Sequence, residues 1–284
     1  MAEARDFERL RDWVGRSESR EDVISAVPAA GLAATLDHDA APMAGDELPP
    51  LGHWLYFLSP ARQSEIGTDG HPKRGGFLPP VALPRRMLAS SRIEFHRPLR
   101  IGASVRRDST ILDVQHEKGS SGDIVFVVVR HEIHDAAGCA VAEEQHILYR
   151  GAAHTPAAEV PGPGRPAAWR RTVHPDPVLL FRYSALTFNS HRIHYDRPYA
   201  METDGYPGLV LHIPLMATLL VDALRASRPG ARVTQFGFRA LRPLFDGTPF
   251  TIAGQPSDSA KHWSVWAADV RGNIAMEADG MLAP

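Results

Sequence analysis

One nine-residue segment, FNSHRIHYD at positions 188–196, brings together side chains that could do chemistry. His191 and His194 are three residues apart, Asn189 precedes them, and Asp196 follows. Imidazole has an unperturbed pKa of about 6.5, so near neutral pH it can accept a proton, donate one or bind a metal. The segment is therefore compatible with a metal site, with acid–base catalysis, or with a polar turn that has no chemistry.

A metal site would use His191, His194 and Asp196, with His212 as a further ligand. A helix would bring the two histidines of the segment to one face, but the glutamate of an HExxH zinc motif is absent. Cys139 is the only cysteine, which excludes an internal disulfide and a cysteine-based zinc site. We expect no metal here. The polar turn would be the simplest interpretation if the segment stood alone, because asparagine, serine and histidine are common in turns.

The residues that follow favour acid–base chemistry. Tyr206, Gly208 and His212 lead into an apolar stretch that predicts a buried helix at about 208–226. A polar turn that runs into a helix N-terminus places an imidazole beside free backbone N–H groups, which favour developing negative charge. A base beside such an anion site is what enolate chemistry on a thioester requires.

Composition limits the other classes of function. The 284 residues include 31 basic and 33 acidic side chains, and the formal net charge of -2 provides no overall field for nucleic acid or an anionic membrane. The N-terminal segment alternates charges and lacks the apolar run of a signal peptide. The apolar stretch around His212 also contains Pro214 and Asp222, which are costly in lipid. We expect a cytoplasmic protein that binds neither nucleic acid nor membrane.

The pattern along the chain predicts two related halves. Residues 5–40 are predicted to be helical, and a Pro/Gly-rich segment follows, with a short helix at 81–89. Four alternating runs then predict a meander of strands: RIEFHRPLRIGASV, DSTILDVQHEK, DIVFVVVRHEIHD and AVAEEQHILYR. Residues 154–169 contain four prolines and two glycines and are predicted to be a stiff interdomain linker.

Two short repeats indicate an internal duplication. RPLxxG occurs at 97–102 and again at 242–247, and each half then has a glycine five residues before a glutamate, ending at Glu143 and Glu277. An apolar helix must be covered on most sides, and a curled sheet can do so. We therefore predict an α+β double hot-dog fold. Its domains would be a degenerate N-terminal unit (1–153), the linker (154–169) and a catalytic C-terminal unit (170–284).

The segment 188–196 and the helix start resemble the motif of the MaoC-like, or R-specific, enoyl-CoA hydratase superfamily. The whole chain is similar to its two-domain branch, which contains itaconyl-CoA hydratase and 3-methylfumaryl-CoA (mesaconyl-CoA) hydratase. HWLYF (53–57) and DGHPKRGGFLPPVALPRRM (69–87) also resemble that branch. The resemblance implies the double hot-dog fold, a CoA thioester substrate, no metal, and no cofactor beyond the CoA of the substrate.

The same resemblance implies roles for single residues. His194 lies on the catalytic histidine of the motif, and Asp196 on its second aspartate. Asn189 stands where the motif has the catalytic aspartate, and an amide cannot accept a proton as a carboxylate does. Either His194 works as the sole base with Asn189 positioning the water, or Asp196, His191 or a residue of the first half supplies the second group. Ile213 replaces the glycine at the helix start, where its backbone N–H would face the thioester oxygen.

The implied substrates are C5 dicarboxylic acyl-CoA thioesters, which would be hydrated to citramalyl-CoA. Their free carboxylate needs a cation in the pocket, and we expect Arg192 first and Arg86 among the alternatives. Further predicted substrate-binding residues are Tyr195, Tyr206, Gly208, His212 and Ile213. A homodimer is expected. Two other functions remain open: a 3-hydroxyacyl-thioester dehydratase acting on acyl-CoA or acyl carrier protein, and a non-catalytic acyl-CoA-binding protein.

Overall fold

The computed structural model describes residues 7–119, 122–151, 165–257 and 259–284. The predicted linker, 154–169, lies mostly outside these residues. Its last residue, Trp169, is the first residue of a strand. The domain boundaries at 153 and 170 therefore stay a prediction.

The described chain is built on one antiparallel sheet of ten strands. In chain order they are β1 (Ser17–Val23), β2 (Arg85–Phe95), β3 (Ser104–Gly119), β4 (Gly122–Asp135), β5 (Gly138–Arg150), β6 (Trp169–Val173), β7 (Arg232–Ala240), β8 (Phe250–Pro256), β9 (His262–Ala268) and β10 (Ile274–Ala283). Their order across the sheet is β1-β3-β4-β5-β2-β7-β10-β9-β8-β6. The predicted meander of four strands corresponds to β2–β5, although β2 and β3 divide the chain differently from the predicted runs.

The strand order is the same from either edge of the sheet. Strands β1–β5 of the first half correspond in position to β6–β10 of the second, and the halves meet where β2 pairs with β7. The RPLxxG repeats occupy equivalent connections. Arg100 of the first forms an isolated bridge with Glu47, and Phe245 of the second forms one with Val210. This symmetry confirms the α+β double hot-dog fold.

Three α-helices pack on the sheet: α1 (Ala26–Thr35), α2 (Pro177–Leu186) and α3 (Ile213–Ser227). Helix α3 is the central helix of the second half, and its residues Leu215–Val221 are buried in the main core. It begins at Ile213, five residues later than predicted, because Pro214 fits only the first turn of a helix. The preceding residues are instead extended, and the Leu211 N–H donates to the Leu244 carbonyl.

The first half departs from the expectation that each unit has a long central helix. The place equivalent to the start of α3 follows Leu48, whose N–H donates to the Leu99 carbonyl. There the chain forms only the short 3-10 helix Gly52–Leu55. This half thus lacks a long central helix to cover its part of the sheet, which is where it differs from the second half. The space beside it is available for a cavity.

Two local predictions were wrong. Residues 5–40 are not continuously helical but contain the 3-10 helix Leu10–Trp13, strand β1 and helix α1. The sequence of β1, SESREDV, is polar because this strand lies at the sheet edge, where it pairs with β3. The helix predicted at 81–89 is absent. Pro84 disfavours it, and β2 begins at Arg85 because it is hydrogen-bonded to β5 and then also to β7.

None of the helices in the described ranges has the length and apolar character required to cross a membrane.

Leu220 is a test of the core around α3, because its side chain is fully buried. Leu220→Ala should lower the free energy of unfolding by roughly 2–5 kcal/mol, through lost apolar contact and the remaining cavity. Urea unfolding followed by circular dichroism measures this loss. Val27→Ala on α1, where the side chain is 81% exposed, is the control and should leave the midpoint unchanged. Equal midpoints for the two variants would contradict the packing described here.

Candidate active site

The segment 188–196 connects α2 to the chain that leads into α3. Phe188 turns the chain with a φ of 49°, and the Asn189 N–H donates to the Ser184 carbonyl at 2.8 Å. The Asn189 side-chain oxygen accepts the His191 N–H at 3.0 Å. A 3-10 helix, Arg192–His194, follows. The asparagine thus shapes the turn, and its oxygen fixes the position of His191.

A loop of the first half, residues 67–72, is bound directly to this segment. The Arg192 N–H donates to the Asp69 carbonyl at 2.9 Å, and the Ser190 hydroxyl donates to the Gly70 carbonyl at 2.5 Å. The Arg192 guanidinium donates to the Thr68 carbonyl at 3.0 Å. Gly70 has a φ of +89°, and a Cβ at this position would lie 1.8 Å from the Ser190 carbonyl oxygen. Only glycine allows this approach.

Four imidazoles follow one another in the region where the loop meets the segment. The ring centroids of His71 and His191 are 4.0 Å apart, and those of His191 and His194 are 5.4 Å apart. His194 then stacks on His212, with centroids 3.7 Å apart and planes inclined by 19°. This histidine column, His71–His191–His194–His212, brings together three residues predicted from the sequence and one that was not.

His194 is oriented for use as a base. Its Nδ1 lies 2.7 Å from the Val210 carbonyl, which can only accept, so Nδ1 carries the proton and Nε2 keeps its lone pair. Burial lowers the pKa of His194 to about 4, although the bond to Val210 opposes the shift. The ring is therefore neutral at neutral pH and can accept a proton.

His212 supports His194 from behind. It precedes the first residue of α3, and its Nε2 is 2.8 Å from the Ser184 hydroxyl. Burial, together with the nearby His194 and His191, lowers its pKa well below the usual value. Its Nδ1 has no hydrogen-bond partner among the described residues. His212 is therefore a neutral ring that packs against the base.

Asp69 and His71 form a hydrogen-bonded pair that sequence reasoning missed. Asp69 Oδ2 is 3.0 Å from His71 Nδ1, and Oδ1 accepts the His71 backbone N–H at 2.9 Å. Burial alone would raise the pKa of Asp69, but these hydrogen bonds and the adjacent imidazoles hold it well below its usual range. The pair comes from the DGHP part of the family-like segment, in which Gly70 signals only a turn. No feature of the sequence shows that this turn reaches the second half.

The same neighbourhood has a spacing that metals can use. Asp69, His71 and His191 each offer a ligand atom, and these atoms all lie within 4.8 Å of one another. This group differs from the set considered from the sequence, because Asp196 is bound elsewhere. Asp69 Oδ2 and His71 Nδ1 already bond each other.

A cavity of about 360 Å³ lies at this site, between the two halves. The first half contributes its aromatic, polar and basic wall residues, Trp54, His71, Arg86, Leu88 and Gln145 among them. The second half contributes residues of α2 and of the turn after it, together with the start of α3: Tyr183, Thr187, Phe188, Asn189, Ser190 and Pro214. A separate cavity of about 290 Å³ lies between α1 and α3 and is lined by none of the predicted site residues.

Arg86 and Arg192, the two arginines predicted to bind substrate, have different surroundings. Arg86 lines the cavity near Tyr149, and its charge adds to burial in lowering the pKa of His71 and of His191. It has no ion-pair partner among the described side chains. Arg192 instead pairs with Asp196 at 2.8 Å and lies over the Tyr199 ring at 4.1 Å. Because Arg192 is engaged in these contacts, the geometry favours Arg86 as the cation for a substrate carboxylate.

Among the predicted site residues, Asn189 and Arg86 line the cavity, whereas His191, His194, His212 and the remaining residues surround it. Asp196 holds Arg192 and accepts the Tyr199 N–H at 3.2 Å. Tyr195 is 44% exposed and donates its hydroxyl proton to the Ser190 carbonyl. The Tyr206 ring lies under the Arg85 guanidinium, and Gly208 is packed against the Asp246 carboxylate. Ile213 is the first residue of α3. Their assignment to catalysis or substrate binding stays a prediction.

A buried carboxylate supports the cavity wall. Glu143 accepts hydrogen bonds from His53 at 3.0 Å, Trp54 at 3.0 Å, Ser91 at 2.8 Å and Gln145 at 2.9 Å. Burial would raise its pKa, but these donors and the neighbouring imidazoles lower it to about 2. Trp54 packs against the main core. It lines the cavity as well, and Glu143 fixes its orientation.

Buried histidines predict a stability that depends on pH. Burial lowers the pKa of His131 and of His194 to about 4, and that of His191 to about 2. Unfolded histidines titrate near 6.5, so between these values the unfolded chain binds more protons than the folded one. The free energy of unfolding should be highest above pH 6.5 and fall as the pH drops towards 4.

The midpoint of urea unfolding, measured at intervals from pH 8 to 4.5, tests this expectation. His131→Gln should make the dependence shallower, because it removes one of the contributing rings. A midpoint that stays constant across this range would show that these rings are not buried in their neutral form.

Gly70→Ala tests the contact between the halves. The methyl group would collide with the Ser190 carbonyl oxygen at a positive φ, and such backbone strain costs about 1–3 kcal/mol. Amide hydrogen exchange of residues 67–72 and 190–194 should become faster because the loop is displaced. Gly76→Ala is the matched control in the same stretch, since a Cβ there meets no atom within 4 Å. Unchanged exchange in Gly70→Ala would contradict the described contact.

Comparison with known proteins places the chain in a family. The family model for type 2 hydroxyacyl-thioester dehydratases matches residues 51–246. Mesaconyl-C(4)-CoA hydratase of Chloroflexus aurantiacus is 49% identical over 254 residues, which cover 86% of this chain and 88% of the relative.

Solved structures of remote sequence share the fold. A MaoC-like dehydratase of Phytophthora capsici superimposes with a TM-score of 0.69 at 14% identity, over 97% of this chain and 98% of the other. A conserved hypothetical protein of Mycobacterium tuberculosis with a double hot-dog fold gives a TM-score of 0.59 at 14% identity, over 98% of each chain. The chain thus belongs to the type 2 hydroxyacyl-thioester dehydratases and has the double hot-dog fold.

Proposed function

We propose that this protein hydrates unsaturated C5 dicarboxylic acyl-CoA thioesters. Its substrate is itaconyl-CoA, 3-methylfumaryl-CoA (mesaconyl-C4-CoA) or both, and its product is citramalyl-CoA. The family supports a hydratase or dehydratase that acts on thioesters. The name of the relative that is 49% identical, a mesaconyl-C(4)-CoA hydratase, supports the choice of acyl group.

The observation that carries this proposal is the position of Arg86. Its guanidinium lines the same cavity as His71 and Asn189, next to the histidine column. A carboxylate taken out of water into such a cavity needs a charged partner to offset the loss of hydration. Arg86 can supply that charge without breaking an ion pair, because it has none with the described acidic side chains.

The chemistry assigned to the site is acid–base addition through an enolate. Itaconyl-CoA, whose double bond is β,γ to the thioester, first becomes the conjugated methylfumaryl thioester by loss of an α-proton and gain of a γ-proton. His194 then takes a proton from water while the water oxygen bonds to the β-carbon of the conjugated thioester. Negative charge then develops on the thioester carbonyl, and free N–H groups at the start of α3, that of Ile213 included, stabilise it. Asn189 holds the water. His191, Asp196, Tyr195, Tyr206 and Gly208 are assigned here to supporting the site around these groups.

A 3-hydroxyacyl-thioester dehydratase is the second candidate. The name of the matching family model favours it, and so does the apolar part of the wall, which includes Leu88, Phe188 and Pro214. This reaction is the reverse of hydration and uses the same proton transfers on an aliphatic acyl group. It gives no role to Arg86. A protein that only bound acyl-CoA would have no turnover.

We further propose that the reaction requires no metal and no cofactor beyond the CoA of the substrate. A homodimer and a cytoplasmic location remain predictions from the sequence.

A panel of enoyl-CoA thioesters, with both C5 dicarboxylates and crotonyl-CoA, tests the substrate, and mass spectrometry detects the hydrated product. Arg86→Leu should lower kcat/KM for the dicarboxylates at least ~30-fold, as expected for about 2 kcal/mol of lost charge pairing. Its effect on crotonyl-CoA should stay within ~3-fold, because that substrate has no carboxylate for Arg86 to bind. Arg92→Leu, at an exposed position on the same strand, is the control. Equal losses on both substrate types would reject the role of Arg86, and a preference for long aliphatic chains would favour the dehydratase.

A further inference from the structure

Hydration of an enoyl thioester moves two protons, one from water and one to the α-carbon. Asn189 stands where the related motif has a carboxylate, and its amide can transfer neither proton. Asp196 is paired with Arg192 and bonded to the Tyr199 backbone. We infer that the Asp69–His71 pair, supplied by the first half, is the second proton-transfer group of this active site. The inference rests on the proposed hydration of a thioester but not on its C5 acyl group.

The position of His71 is the first reason. Its ring lines the cavity together with Asn189, and it packs against His191 at 4.0 Å between centroids. The loop that carries it is fixed by hydrogen bonds from Ser190 and Arg192. The pair is thus held in place by the segment in which Asn189 replaces the aspartate of the motif.

The bonding of His71 is the second reason. Its Nδ1 is bonded to the Asp69 carboxylate, which leaves Nε2 for proton transfer. A carboxylate in this position fixes the ring orientation and stabilises the imidazolium that forms. In the histidine column, His194 and His212 bond a carbonyl and a hydroxyl instead. His71 is therefore the ring of the column at which a positive charge costs least.

The charges around His71 act in opposite directions. Burial and the positive charges of Arg86 and Arg74 lower its pKa, whereas Asp69 raises it. Asp69 lies in the same loop as His71, Arg74 follows that loop, and Arg86 lies at the start of β2. The pKa of His191 falls to about 2 and that of His194 to about 4, so His71 differs from its neighbours by having a carboxylate partner.

The proton transfers balance as follows. His194 takes a proton from water, the water oxygen bonds to the β-carbon, and the electron pair of the double bond moves to the thioester as an enolate. The imidazolium of His71 then gives its proton to the α-carbon, and the carbonyl re-forms. One hydrogen and one hydroxyl have been added, with no oxidation or reduction. Transfer of a proton from His194 to His71, through His191 or solvent, restores the initial state.

The test uses the full chain and the enoyl-CoA that the wild type hydrates fastest. His71→Ala should lower kcat by ~10²- to 10⁴-fold, the usual contribution of a general acid or base, without lowering Tm. Added imidazole should restore part of that rate, because the deleted ring lines the cavity and leaves space there. Asp69→Asn removes the charge and keeps an acceptor oxygen for one of the two His71 N–H groups. It should lower kcat ~10-fold or more and shift the pH profile of kcat.

A matched pair of controls comes from the β3–β4 hairpin. His116 and Asp123 form a similar pair, 2.7 Å apart, on the surface and away from the cavity. His116→Ala and Asp123→Asn should leave kcat unchanged. If His71→Ala lowers Tm, His71→Gln fills the volume and provides the same comparison.

Three results would overturn the inference. His71→Ala or His71→Gln with at least half of the wild-type kcat would show that the ring transfers no proton. A folded, inactive His71→Ala that imidazole fails to rescue would make the ring structural. Loss of activity with EDTA and recovery with Zn²⁺ or Mg²⁺ would replace the acid–base pair with a cation held by Asp69, His71 and His191.

The two proposals fail in different ways. If the wild type hydrates crotonyl-CoA but neither dicarboxylate, the proposed substrate is wrong, and the variants are measured on crotonyl-CoA. If the wild type hydrates a dicarboxylate and His71→Ala does so equally well, the proposed function stands and the inference about Asp69 and His71 fails. Absence of turnover on every thioester overturns both.

Discussion

The active site depends on one close contact between backbone atoms. The loop at 67–72 meets the turn at 188–196 so closely that a single methyl group on Gly70 would overlap the Ser190 carbonyl. Three hydrogen bonds join the loop to Ser190 and Arg192. Because Asp69 and His71 lie in this loop and His191 and His194 lie in the turn, the histidine column exists only when the halves are assembled. Neither half contains the complete set.

The difference between the central helices of the two halves explains where the cavity lies. A hot-dog sheet ordinarily covers a long helix, and α3 fills that role in the second half. The first half has only the 3-10 helix Gly52–Leu55 at the equivalent place. Trp54 of that helix and Gln145 of β5 form cavity wall, and both are held by the buried Glu143. Its counterpart in the repeat, Glu277, pairs with Arg165 near the surface instead. The duplicated sequence position has thus acquired an internal function in one half only.

Patterns with a short period could be predicted from the sequence, and contacts between distant segments could not. The strands around Val125, Val127 and Val129 follow from their alternation, and α3 follows from its apolar run. The duplication was visible in RPLxxG because the repeated connection is itself short. His194 was found because its segment resembles the family motif, and the fold then brings it against His212 at the start of α3. Strand β1 was missed because an edge strand needs no apolar alternation.

The place of the Asp69–His71 pair beside His191 depends on a contact between segments that are 120 positions apart in the chain. Arg192 illustrates the same limit from the opposite side. Its position inside the motif suggested a substrate contact, but an i,i+4 partner, Asp196, and the Tyr199 ring engage it. Whether an arginine faces a cavity or a neighbouring side chain is decided by packing. The sequence alone therefore ranked Arg192 above Arg86, and the structure favours the reverse.

The pairing of β2 with β7 has a consequence for how a ligand enters. Five residue pairs, from Ser90–Arg239 to Glu94–Gln235, join the halves into one continuous sheet. Rigid-body opening of the halves would break this ladder and the docking of residues 67–72 at once. A ligand therefore reaches the cavity without such an opening, with at most local motion of side chains or short surface segments, on a faster timescale than domain opening. The width of the acyl site is then set by a backbone that does not adjust to its ligand.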